Sequence, residues 1–199
     1  MNDLDQLESA LRGAATDPPL PELDLAASSA GLLDVAYATL DSPLGKLLLA
    51  STKKGLVTVA YLDDEDEYAV LATLAGTVSP RVLRSPRRLD EPRRELDQYF
   101  TGAREQFELA LDWRLSQGFG RRVLRATARI PYGTVSSYKR IASEAGSPRG
   151  YRAAGNALGS NPLPIVVPCH RVLHSGGGLG GYTGGLERKR LLLSLEAGR

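Results

Sequence analysis

The sequence predicts an α+β protein: a small N-terminal domain with a three-stranded antiparallel sheet and helices, followed by a mainly helical domain carrying a helix-turn-helix. Three observations lead there. Apolar runs of strand length, separated by turn signals, fill residues 34–62. Helical spacing of apolar residues takes over after residue 114. Charge divides at the same place: residues 1–113 carry 11 Lys/Arg against 20 Asp/Glu, a net −9, and residues 114–199 carry 14 against 3, a net +11. The expected divisions are therefore a flexible extension (1–33), an α/β domain (34–113) and a basic domain (114–199).

In chain order, residues 1–33 open with an amphipathic pattern (Leu4, Leu7, Leu11), pass through Pro-rich DPPLPELD and end in AASSAG, which predicts a mobile extension with a helical turn or two. DVAYATLDSPLG, KLLLASTKKG and LVTVAYL follow as strands, with turns at Ser42-Pro43, Gly45 and Lys54-Gly55. The acidic run DDEDE (63–67) should favour the N-terminus of a helix at about 65–75 through the helix dipole. A second helix is expected at about 90–101, with Leu96, Tyr99 and Phe100 on one face, and FELALDW (107–113) reads as a closing strand. In the basic half, Phe119, Val123, Leu124, Thr127 and Ile130 share a helical face that Pro131-Tyr132-Gly133 ends. Ser136 or Ser137 can cap a helix containing Tyr138, Ile141 and Ala142 that stops at Gly146, and the turn GSPRG leads into the helix YRAAGNALG. Two short helices around a Gly-containing turn, on a basic half-chain, read as a nucleic-acid-binding helix-turn-helix. The plainer alternative is a solvated basic face docked on the acidic half.

No run approaches the roughly 18 apolar residues that a membrane span needs, and the acidic N-terminus MNDLDQLESALRGA lacks the features of a signal peptide. A single cysteine fits a reducing, cytoplasmic setting. With one Cys and two late His no zinc site is expected, and no cofactor is implied. That cysteine, Cys169, stands in IVVPCHRV (165–172), where a strand-like apolar run ends at Pro168 and His170 and Arg171 follow. Such neighbours are expected to lower a thiol pKa from about 8.5 toward neutrality. Successive residues of an extended segment point opposite ways, so His170 would reach the sulfur through a water.

N-P-x-P-I-V-V-P-C-H-R-V, preceded by the helix-turn-helix and followed by G-Y-T-G-G-L-x-R-K, resembles the O6-alkylguanine-DNA alkyltransferases (methylated-DNA–protein-cysteine methyltransferases). The resemblance is dense from about 118 to 197, thinner back to about 34, and absent from 1–33. It implies an α/β N-terminal domain, a winged-helix C-terminal domain, and DNA repair by irreversible transfer of an alkyl group from O6-alkylguanine to the protein's own cysteine. It implies Cys169 as alkyl acceptor, His170 as base acting through a water, Glu196 as the carboxylate orienting His170, and Asn161 as a brace of the active-site loop. Tyr138 resembles the tyrosine that rotates and bonds the flipped base, and Arg152 the finger that fills the gap in the stack. Ala153, Ala154 and Gly155 would let that helix lie close in the minor groove. Tyr182, Thr183 and the carbonyl of Val172 would line the guanine pocket, behind a flexible loop from Gly176 to Gly181. The implied partner is double-stranded DNA carrying O6-alkylguanine, with O4-alkylthymine a further candidate; a monomer is expected, with cooperative loading on DNA left open, and no membrane.

Gly120, Leu124 and Tyr151 depart from the family pattern, as does the absence of tryptophan from KRLLL; the first two should weaken the helix at 119. A regulator that binds DNA without catalysis would explain the charge and the helices but not Cys169-His170 or the Tyr182 region. A thiol hydrolase would need an oxyanion site, for which the sequence holds no signal.

Overall fold

The computed structural model describes residues 20–62 and 66–198. The sheet is built from β1 (Val35–Ser42), β2 (Gly45–Thr52) and β3 (Gly55–Tyr61), antiparallel neighbours as the turn signals predict. A short fourth strand, β4 (Val82–Arg84), adds parallel to β1 at the other edge, giving the order β3-β2-β1-β4. Three residues are too few to show a period, so the sequence carries no signal for this strand.

Both faces of the sheet are covered, which is why its strands read as nearly continuous apolar runs. Val35, Leu48, Ala50 and Val57 meet Val70 and Leu74 of α2 (Glu67–Thr77) on one side. Ala36, Ala38, Leu40, Leu47, Leu49, Leu56 and Val59 join α3 (Asp90–Phe100) and the C-terminal half on the other. A register shift pairs Ala50 with Thr58 but Ser51 with Leu56, leaving Val57 as the extra residue of a bulge. Leu56 and Val59 can therefore face the same cluster although three residues apart. Asp66 stands at the N-cap of α2 without a side-chain hydrogen bond, with Glu67 in the first turn; residues 63–65 of the acidic run lie outside the described residues.

Two expectations for this half are corrected. FELALDW is no regular strand. It touches β3 through a single bridge, where Ala110 accepts from Leu56 N at 2.8 Å and Asp112 N donates back to Leu56 at 2.8 Å. Gly55 is needed at this crossing: φ is +127°, and a Cβ there would lie 2.1 Å from the Ala110 carbonyl oxygen. Nor are residues 20–33 a loose extension. They form α1 (Leu20–Ser29), with Asp24 buried on Ser85 and Leu33 buried in the main core. The amphipathic pattern at Leu4, Leu7 and Leu11 lies outside the described residues.

The basic half begins with α4 (Gly118–Thr127), which holds despite Gly120. Leu124 is buried in the core, and a Cβ at Gly120 would meet Ala157 of α6 at an ordinary 3.7 Å. β5 (Ser136–Ser137) leads into α5 (Tyr138–Glu144), where the Ser137 hydroxyl caps Arg140 N at 3.2 Å. Gly146, at φ +82°, ends the turn after α5, and α6 (Tyr151–Gly159) completes the helix-turn-helix. β6 (Val172–Leu173) pairs with β5 in parallel, and α7 (Gly185–Ala197) closes the chain. Residues of both halves share one buried cluster, so the charge boundary is not a packing boundary.

Leu33→Ala should lower stability by about 2–5 kcal/mol if this segment is part of the core. Thermal or urea unfolding checks it: a change within about 0.5 kcal/mol, the surface range, would return residues 20–33 to the status of an appendage.

Candidate active site

The apolar run before Cys169 is a tight turn rather than the expected strand. Val167 N bonds Leu163 O at 2.8 Å and Cys169 N bonds Val167 O at 2.7 Å. Ile165 sits at φ +73°, where a β-branched side chain is strained by about 1–3 kcal/mol. Cys169–Arg171 then form one 3₁₀ turn. The alternation expected of an extended chain does not apply there.

Asn161, after the C-terminus of α6, holds this turn from inside. Its Oδ1 accepts from Leu163 N at 3.0 Å, and its Nδ2 donates to Val167 O at 2.9 Å and to Cys169 Sγ at 3.2 Å. The Asn-Pro pair thus makes the Asx-type turn its chemistry favours and also touches the sulfur. Cys169 is buried and free of disulfide. Burial pushes its thiol up to about 11, against the opposing pull of the Asn161 bond and the Lys189 charge. The sequence expectation of a pKa near neutrality is therefore overturned: desolvation outweighs the neighbours.

His170, also buried, bonds Glu196 Oε1 through Nε2 at 2.9 Å, and its Nδ1 has no hydrogen-bond partner. Burial lowers the imidazole pKa despite the carboxylate, so the ring is a neutral base at physiological pH. Glu196 comes from the last turn of α7. Burial alone would raise its pKa, but bonds from His170 and Arg171 hold it down at about 2. Arg171 grips both carboxylate oxygens, with Nε 2.9 Å from Oε2 and Nη2 2.8 Å from Oε1, and its Nη1 donates to Ile130 O at 2.6 Å. Arg171 thus ties the Glu196 carboxylate to the backbone just after α4. Gly133 N and the hydroxyl of Tyr99 complete the set of donors.

A cleft of about 510 Å³ opens among Tyr138, Tyr151, Arg152, Gly155, His174 and Tyr182. Tyr138 is half-buried, its hydroxyl 3.5 Å from Gly181 O and its ring 5.1 Å from that of His174. Arg152 is exposed at the cleft, its guanidinium 5.9 Å from the centre of the Tyr151 ring. Gly155 faces the Tyr138 ring and Ala153 is exposed, but Ala154 is fully buried. The expectation of three small residues against a groove is corrected: Ala154 packs inward, since helical periodicity turns it away from its neighbours. Tyr182 meets the His170 ring edge-on at 6.3 Å and shares a 2.8 Å hydrogen bond with Tyr61 of β3. Thr183 lines a neighbouring cleft with Asn161 and bonds the end of α6 at Leu158 and Gly159, so it braces α6 rather than lining the cleft with Tyr182.

Lys189 is the residue that sequence reasoning missed. Its buried ammonium donates to Val172 O at 2.7 Å, to Gly181 O at 3.3 Å and to Leu179 O. The loop expected to be flexible is thus pinned at two carbonyls, and the Val172 carbonyl is already engaged. Burial lowers the Lys189 pKa to about 8. In GLERKRLLL nothing separates Lys189 from its exposed neighbours except the face of α7 it occupies. Among the described residues, no group of three or more His, Cys, Asp or Glu is placed to hold a metal, and no helix is long and apolar enough to cross a membrane.

Two family models match the chain in order: the ribonuclease-like domain of 6-O-methylguanine DNA methyltransferase over residues 35–113 and its DNA-binding domain over residues 118–198. A methylated-DNA–protein-cysteine methyltransferase of Mycolicibacterium paratuberculosis is 52% identical over 102 residues, 51% of this chain and 61% of the relative. The inducible Bacillus subtilis protein of that name is 45% identical over 102 residues, 51% of this chain and 56% of its own. By these alignments the chain spans about three fifths of the curated relatives' length. The crystal structure of Mycobacterium tuberculosis O6-methylguanine methyltransferase superposes with TM-score 0.72 at 39% identity, covering 83% of this chain and 94% of that one. That of Mycobacterium tuberculosis OGT in complex with DNA gives TM-score 0.71 at 37% identity, covering 82% and 93%. With both halves matched in order on one superposable fold, the chain belongs to the 6-O-methylguanine DNA methyltransferase family.

Proposed function

We propose that this chain repairs DNA by moving the alkyl group of an O6-alkylguanine onto Cys169, once per molecule, as a cytoplasmic monomer. The observation that carries this reading is a buried thiol held by Asn161 beside an imidazole that is anchored at Nε2 by Glu196 and carries a buried, unpaired Nδ1. That is nucleophile and base in one turn of chain, with the orienting carboxylate supplied by α7.

The high thiol pKa means that the proton leaves during the reaction rather than before it. His170 Nδ1 takes it through a bridging water. Sγ forms a bond to the alkyl carbon as the carbon–O6 bond breaks. The electron pair leaves with guanine, which takes up a proton from solvent. The product is a thioether with no charge to bury, and no group of the site can hydrolyse it, so the reaction stops at one turnover. The O6 substituent of a stacked guanine cannot reach a buried sulfur, so the base must be extruded from the helix. In this reading α6 lies in the minor groove with Arg152 in the vacated stack, where a planar guanidinium packs well against bases. Tyr138, Tyr182 and the lone pair of the Val172 carbonyl that Lys189 leaves free receive the base. The exposed arginines of the +11 half supply phosphate contacts. The Mycobacterium tuberculosis relative seen with DNA supports DNA as the partner.

Incubation with O6-methylguanine duplex should add one methyl group per protein molecule, located by mass spectrometry on the Cys169 peptide and absent in Cys169→Ser. Turnover without protein modification would end this reading.

The thiol pKa makes a separate statement about pH. Below about 11, the thiolate fraction rises with pH, so iodoacetamide labelling of Cys169 should climb about tenfold per unit between pH 7 and 9. A plateau near neutrality would reveal a preformed thiolate.

Arg152→Ala should slow repair of duplex DNA about tenfold or more while leaving transfer from free O6-benzylguanine within about twofold, since the free base needs no extrusion. Arg171→Ala should reduce both reactions and lower the melting temperature, because it strips the guanidinium bonds from both oxygens of Glu196. Equal losses on both substrates for Arg152→Ala would remove the finger assignment.

A further inference from the structure

All the residues assigned to chemistry above lie between 138 and 196, yet one donor on the Glu196 carboxylate comes from the N-terminal domain. Tyr99, in the last turn of α3, is fully buried, and its hydroxyl lies 2.6 Å from Glu196 Oε1. That same oxygen accepts from His170 Nε2 at 2.9 Å. We propose that Tyr99 is a positioning residue for alkyl transfer, its hydroxyl fixing Glu196 against His170 and limiting how tightly the carboxylate holds an imidazolium. The inference rests on the reading of His170 as the base.

The geometry makes Tyr99 more than a filler of space. A carboxylate offers about four acceptor sites, and Glu196 already has the two-pronged Arg171 and Gly133 N on it. A residue needed only for packing at position 99 could be phenylalanine: the ring sits among Phe100, Phe107 and Tyr132 at centroid distances of 5.2–6.0 Å. Instead a hydroxyl projects from that aromatic cluster onto the oxygen that bonds the base. Burial, and then the Glu196 charge, push the Tyr99 pKa far up, so the hydroxyl keeps its proton and always donates.

Sharing Oε1 between Tyr99 and His170 has a definite electrostatic sign. Each donor on a carboxylate oxygen withdraws part of its negative potential, so less is left to stabilise a charge on the imidazole. The charged and titratable groups around His170 are Glu196, Arg171 and Lys189, with Cys169, Tyr99 and Tyr182 alongside. Arg171 and Lys189 disfavour the imidazolium and Glu196 favours it. Tyr99 weakens the favouring partner. A neutral imidazole can accept the thiol proton and a protonated one cannot, so the Tyr99 hydroxyl extends the pH range over which His170 serves as base toward acid. The N-terminal domain in this way acts on the chemistry without touching substrate.

The test is Tyr99→Phe in the full chain, read in two ways. The first is the second-order rate constant for free O6-benzylguanine from pH 5 to 9. Its acid limb should move up by about half a pH unit, and the plateau rate should fall less than about fivefold. The second is the imidazole nitrogen titration of His170 by NMR in the unalkylated protein, tractable because the chain has two histidines; its midpoint should move the same way. Introducing 3-fluorotyrosine at Tyr99, a stronger donor of the same shape, should move both in the opposite direction and keeps the test alive if Tyr99→Phe fails to fold. An acid limb and a His170 midpoint that stay put in either variant, with any rate loss tracking the melting temperature, would make Tyr99 a packing residue and overturn the inference. Because the NMR titration needs no turnover, absence of alkyl transfer in the unaltered chain would be a separate result, bearing on the function and not on this coupling.

Discussion

The structure depends on a carboxylate that it cannot afford to bury unpaired. Glu196 stands at the C-terminal end of α7, where the helix dipole is unfavourable to negative charge and burial adds a cost of several kcal/mol. It is tolerated because its donors converge from three places: Tyr99 of α3, Gly133 in the turn after α4, and the adjacent His170 and Arg171 of the cysteine turn. The three places are far apart in the chain, so the carboxylate is satisfied only when α3, α7 and the cysteine turn are all in place. Its pKa of about 2 makes this a pH-linked stabilisation. The contribution is complete above the ordinary glutamate pKa near 4.5 and fades as pH falls through about 2.

A second buried charge organises the other side of the turn. Lys189, two helical turns before Glu196 on α7, spends its ammonium on carbonyls of Val172, Leu179 and Gly181. The two charges of one helix thus pin the two ends of the segment that contains the cysteine and the cleft loop. Between them the thiol stays protonated, because desolvation costs the thiolate more than Lys189 and Asn161 return. A resting thiol suits the proposed reaction, which would consume the cysteine, since a thiolate would be open to oxidation and to stray electrophiles. In that proposal reactivity comes from His170 at the moment of transfer.

The division of charge between the halves coexists with a shared core. Tyr61 and Tyr99 both reach from the acidic half to residues of the basic half, one to Tyr182 beside the cleft and the other to Glu196. The N-terminal domain leaves the basic surface to its neighbour and contributes hydroxyls from beneath it.

Much of this was legible in the residues themselves. Apolar runs and turn signals determined the antiparallel sheet, and helical spacing with Ser137 and Gly146 determined α5 and α6, because these depend on local backbone preference and side-chain period. The Cys-His-Arg block and its flanks marked the site and the family. Elements without a period of their own were decided by tertiary contact: the three residues of β4, the single bridge at residues 110–112, and the docking of α1 through Asp24 and Leu33. The chemistry divides in the same way. Residue types and their order pointed to Cys169, His170 and Glu196, and the fold brings the imidazole and the carboxylate within 2.9 Å. The protonation of the thiol, the inward turn of Ala154, the buried Lys189 and the reach of Tyr99 across 97 residues depend on desolvation and on which helix faces meet. Those are properties of the assembled interior, and no stretch of sequence carries them alone.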